Sequence, residues 1–220
     1  MTPGSFREFF SKIEPIRMYD PLATLLGTFK EDHDIHDIIE YHFIDVIKMA
    51  GHSCPTTASA FVACKYAMRM LFEDGIGERG AISIMVHGER DSGVYGVIAQ
   101  VFSFITGACS ETGFKGLGGL HRRNNLLWFG KEENKEYQQF DFTRRDTKRV
   151  CVVRSIPGSL PLLEPSESLR LNELFSKNVW EAVRGSKRAE FRDLWMKRVK
   201  LIALDEQDRE SWLKLEMREA

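Results

Sequence analysis

Val94–Thr106 is apolar on nearly every side and stops at Gly107. A helix of that kind cannot rest on one surface with its far side in water, so the rest of the chain has to enclose it. A second helix opens at Pro55, where the missing N–H of proline costs nothing because it would be unpaired anyway. Phe61, Cys64, Met68 and Leu71 then recur at spacings of three and four, giving one buried stripe before Asp74, Gly75 and Gly77 end the helix. Between the two helices, Ala81–His87 is short, apolar and β-compatible, and Glu89 to Gly93 is a loop. After the glycine-rich connection Gly113–Gly119, three strands are predicted at Leu126–Phe129, Gln138–Thr143 and Val150–Val153, joined by charged turns. The order helix, strand, helix, three strands predicts an α+β domain with helices on one face of a mixed sheet.

The flanks are less regular. Residues 1–33 read as an N-terminal lead-in whose apolar stretch Pro21–Phe29 packs on the core domain, residues 34–155. Residues 34–50 carry two patterns. Ile39, Tyr41 and Phe43 alternate like a strand, whereas Ile44, Val46, Ile47 and Met49 suit a short helix ending at Gly51. Residues 156–220 form a C-terminal helical extension: three prolines mark Ser155–Pro165 as a linker, and Ser166–Trp212 is helical in character. Phe191, Leu194, Trp195, Val199 and Ile202 supply its apolar face.

Charge excludes some functions. Lysine and arginine nearly cancel aspartate and glutamate, for a formal net charge of −1, without the basic excess of a nucleic-acid binder. No apolar stretch reaches the roughly 18 residues of a membrane span, and the first residues have no signal-peptide pattern. Cys54, Cys64, Cys109 and Cys151 are scattered, with no CxxC pair. The expectation is a cytoplasmic protein with reduced thiols and no nucleic-acid or membrane partner.

Gly51-His52-Ser53-Cys54-Pro55 is the most chemically suggestive segment. Cys54 falls at the N-cap position of the helix that Pro55 opens, where unpaired N–H groups and the helix dipole favour a thiolate. Thiolate and imidazole together suit zinc or another borderline-soft transition metal. Two other readings stand beside it: a buried cysteine near a hydrogen-bonded histidine, and a nucleophilic Cys54 with His52 as base. His33 and His36 lie in an acidic run and read as solvated surface; Cys64 and Cys151 read as core.

The run AGHSCPTTASAFVACKYAM, followed by SFITGACSETGFKGLGG, resembles the FmdE family, proteins similar to one component of formylmethanofuran dehydrogenase. The resemblance spans about residues 20 to 155. It implies the same α+β order and metal binding, commonly zinc, through His52 and Cys54. The chain departs from the family pattern at Val97 and Gln100, where many members carry a cysteine and an aspartate, and it lacks their C-terminal zinc ribbon. Cys109, His87 and His42 are the residues available to complete a metal sphere. Lys115, Arg122 and Arg123 surround a glycine-rich segment whose N–H groups can form an anion nest, which leaves two readings: a small anionic ligand beside the metal, or a glycine loop with solvated arginines. The resemblance leaves open an enzyme with a metal Lewis acid or redox centre, or a ligand-binding or accessory protein for a molybdenum or tungsten enzyme. A haem on the Cys54 thiolate is a lesser alternative. The apolar helix faces suggest a homodimer.

Overall fold

In the computed structural model, residues 9–29, 37–131, 134–184, 187–204 and 209–219 are described, without side chains over 176–184. The fold is α+β. Its larger sheet contains β4 (Ile82–His87), β5 (Leu127–Phe129), β6 (Gln138–Arg144), β7 (Val150–Ser155) and β8 (Leu213–Arg218). They are ordered β5-β4-β6-β7-β8, with β5 parallel to β4 and every other neighbour antiparallel. A smaller sheet pairs β1 (Ile16–Tyr19) antiparallel with β2 (Ile38–Tyr41) and parallel with the two-residue β3 (Gly77–Glu78).

The helices are α1 (Pro21–Leu26), α2 (Phe43–Ala50), α3 (Pro55–Leu71), α4 (Tyr95–Thr106), α5 (Pro165–Arg184), α6 (Arg188–Leu204) and α7 (Arg209–Trp212). Helix α3 is the hub, packed against α2, α4, α6 and β7. Its alanines and serine (Ala58, Ser59, Ala60, Ala63, Ala67) let neighbours approach on several sides, while Phe61, Met68 and Leu71 fill the space between. Helix α4 is buried on most sides but not enclosed as its apolar sequence predicts: Val97 and Gln100 are exposed, so one side reaches the surface. Ile98, Val101, Phe102 and Ile105 are buried, and the Phe102 ring meets Phe140 and Phe142 edge-on at 5.1 and 4.8 Å.

Strand alternation assigns the two faces of the larger sheet. Ile82, Ile84, Val86, Phe140, Phe142, Cys151 and Val153 point into the core. The opposite face holds exposed Met85 and Trp128 and a polar ladder from His87 through Asp141, Gln139 and Arg154 to Glu216.

The segment 34–50 uses both of its patterns in succession, strand β2 and then helix α2, which ends at Gly51 in the left-handed conformation (φ 76°). The lead-in contributes β1, whose Ile16 and Met18 are buried. The C-terminal segment supplies α5, α6 and α7, and after Trp212 the chain returns to the larger sheet as β8, a strand absent from the sequence reading.

Candidate functional site

The GHSCP loop joins α2 to α3. His52 is exposed, and its Nδ1 lies 3.0 Å from the Ala50 carbonyl oxygen. A carbonyl only accepts, so this bond places the proton on Nδ1. Cys54 is buried at the N-cap of α3 in an extended conformation, and its Sγ accepts from the Thr57 amide at 3.4 Å. Thr57 reciprocates: its hydroxyl lies 3.1 Å from the Cys54 amide, which donates to it, and itself donates to the Cys54 carbonyl at 3.0 Å. This is a capping box built from cysteine and threonine. The loop is anchored to α6, where the Trp195 indole N–H donates to the Ser53 carbonyl at 2.9 Å and Ser53 Oγ donates to Met196 Sδ at 3.1 Å. The thiol therefore faces inward and the imidazole outward. Among the described residues no group of three or more His, Cys, Asp and Glu side chains is placed to hold a metal ion.

The other expected ligands are dispersed. His42 caps α2, with its amide donating to the Asp45 carboxylate at 3.1 Å. His87 sits on the outer sheet face, its Nε2 2.8 Å from Asp141 Oδ2. Cys109 is half-buried after α4, with its backbone bonded to Arg123, Leu126 and Leu127, which closes the loop between them at its base. His33 and His36 lie outside the described residues.

The three expected anion-binding residues separate. Lys115 and Arg122 are exposed, whereas Arg123 is buried and bonded to Asp20 Oδ1 at 2.8 Å. Asp20 is the centre of a cluster that the sequence reading missed. It caps α1 by accepting from the Leu22 and Ala23 amides, and its second oxygen accepts from Arg79 Nε at 2.9 Å. Arg79 also donates to the Tyr41 hydroxyl and to the Phe104 and Ile105 carbonyls at the end of α4. Burial pushes the Tyr41 hydroxyl pKa up, against the opposing pull of Arg79, and burial lowers that of the Arg123 guanidinium. Gly80 makes room for this cluster: a Cβ there would lie 2.6 Å from Arg123 Nη1.

One groove brings together several of the residues the motifs point to. It has a volume of about 640 Å³ and lies between the end of α2 (Met49), the outer side of α4 (Gln100, Ser103), Cys109 and Phe129. Arg90 stands at its rim, over the Phe129 ring at 5.3 Å and 3.6 Å from the Glu111 carboxylate. Gln100 is exposed and has no hydrogen-bond partner among the described residues. The α4 side at which the family resemblance expects an aspartate is thus the wall of this groove, with glutamine in that place. Ser103 is already committed, its hydroxyl donating to the Ala108 carbonyl.

No protein-family model matches the chain, and no curated protein matches it significantly. The FmdE resemblance therefore rests on the two sequence elements quoted for it. Among the described residues, no helix is long and apolar enough to cross a membrane.

Proposed function

We propose that this chain is a small-molecule-binding protein whose site is the groove along α4. The observation that carries the reading is the meeting of Gln100, Cys109, Met49 and Phe129 around one opening of about 640 Å³. That volume falls within the range of ligand pockets, about 300–1,000 Å³. Apolar side chains would take the body of the ligand and the free Gln100 amide would fix a polar end. Saturation-transfer NMR against a defined set of small aromatic and aliphatic molecules with one polar end tests it. Gln100→Trp fills the groove from an exposed helix position without disturbing the core. Hits that vanish in this variant support the site; no hits, or hits unchanged in the variant, refute it.

Transition-metal binding at His52 and Cys54, zinc first, is the second reading, and the sequence resemblance around GHSCP supports it. As folded, one buried cap thiol and one exposed imidazole do not make a metal site by themselves. Elemental analysis of the purified chain and of its His52→Ala and Cys54→Ala variants separates the two readings. Metal present in the parent and lost in both variants favours the second. Absence of metal from the parent leaves the groove as the site.

A further inference from the structure

Another, smaller cavity of about 400 Å³ is lined in part by residues 119–122 and shares no lining residue with the groove. Its wall is formed by the turn before β4 (Gly80, Ala81), the β6–β7 turn (Arg145, Asp146) and the loop residues up to Arg122. Arg79, Arg122 and Arg145 line it, together with Glu78. Asp146 also lines it but is neutralised by a two-point pairing with Arg144, at 2.9 Å to each oxygen. Immediately behind Gly80 lies Arg123, 6% exposed, whose Nη1 is buried with no hydrogen-bond partner. Its one carboxylate partner among the described residues, Asp20, is shared with Arg79.

The charge does not balance locally. Five guanidiniums (Arg79, Arg122, Arg123, Arg144, Arg145) meet four carboxylates (Asp20, Asp74, Glu78, Asp146), an excess of one positive charge in a chain whose formal net charge is −1. Arg145 is held in place, its Nη1 donating to the Gly80 carbonyl at 2.9 Å and its amide to the Ala81 carbonyl at 2.8 Å. Arg122 has no partner among the described residues. A free guanidinium and a positioned one at the mouth, with Arg79 in the wall and Arg123 buried behind Gly80, suit an oxygen-rich dianion that accepts forked bonds.

We propose that this cavity binds a phosphate group, carried either as free phosphate or as a small phosphomonoester. Isothermal titration of the full chain at low ionic strength, with inorganic phosphate and separately with glycerol phosphate, tests the proposal. Saturable binding is expected, weakened about tenfold by Arg122→Gln and again by Arg145→Gln, since each removes charge-assisted hydrogen bonds. Both side chains are exposed, so the thermal midpoint of each variant should match the parent. Tighter binding of glycerol phosphate identifies the phosphomonoester as the source, and tighter binding of inorganic phosphate identifies the free ion. Gln100→Trp should leave these affinities unchanged, which separates this cavity from the α4 groove. No saturable binding of either probe at millimolar concentration overturns the proposal. So does equal affinity for malonate, or affinity unchanged in both arginine variants.

Discussion

Replacing Asp20 with alanine removes the carboxylate that holds two guanidiniums and the first turn of α1. The two arginines do not suffer equally. Arg79 keeps the Tyr41 hydroxyl and two backbone carbonyls as acceptors, but Arg123 Nη2 loses its acceptor and Nη1 already has none. The arginine side chains are 17% and 8% exposed, so water cannot readily replace the lost partner. Loss of the helix cap costs about 1 kcal/mol. Stranding a buried charge costs about 3–5 kcal/mol. Because Arg79 retains partners, the lower end applies, and a total of about 4 kcal/mol is expected. That is a large share of the roughly 5–15 kcal/mol that holds a domain folded. Urea unfolding followed by circular dichroism measures it, provided the denaturant slope is unchanged. Asp20→Ala combined with Arg123→Met should recover about half of the loss, because the orphan charge is gone. A loss below about 1 kcal/mol in the single variant, the range of an exposed ion pair, would mean that Asp20 does not hold a buried charge in place. A double variant no more stable than the single one would refute the orphan-charge part.

The remaining predictions concern thiols, the loop anchor and pH. Cys109 is the one half-buried thiol, whereas Cys54, Cys64 and Cys151 are buried, and burial pushes Cys151 up to about 12 and Cys64 further. Titration with a disulfide reagent at pH 8 should show one fast thiol, abolished by Cys109→Ser; several fast thiols would contradict the burial. Trp195→Phe keeps the ring but removes the bond to the Ser53 carbonyl, and should cost about 1 kcal/mol; hydrogen exchange should show faster opening of the GHSCP loop. Hydrogen bonds from Arg218 and Arg154 lower the Glu216 carboxyl pKa to about 2, below its ordinary value. A depressed pKa contributes stability that is complete above the ordinary carboxylate range and is lost as pH falls toward about 2. The stability difference between the parent and Glu216→Gln should therefore be constant near neutrality and shrink in acid; a difference that grows in acid has the wrong sign.

Much of the fold was legible from periodicity. Helix α3 announced itself through Pro55 and its three-and-four spacing, α4 through its apolar surround, and β4 to β7 through short apolar runs between turns. Strands β1, β3 and β8 were missed for different reasons. β3 has two residues, too few for any pattern. The alternation of β1 and β8 is visible in Ile16/Met18 and Leu213/Leu215/Met217, but β8 follows a charged helix with no turn residue to separate them. In the site, Cys54 was correctly placed at a helix start by its neighbour Pro55, whereas its inward orientation depends on Thr57 and α6. Asp20 before Pro21 is a legible cap signal. Its ion partners are 59 and 103 residues away, and no local pattern connects them. The groove is likewise a tertiary product, since Met49, Gln100, Cys109 and Phe129 come from separate elements.

Amide chemical-shift mapping tests ligand binding in the α4 groove most directly. The tightest hit from the saturation-transfer set is titrated into the uniformly nitrogen-15-labelled chain. The largest shifts should fall on Gly96, Gln100, Ser103, Cys109 and Phe129, and saturate together with one affinity. Largest shifts on the GHSCP loop and Trp195, or shifts scattered over the surface without saturation, would contradict binding in the groove.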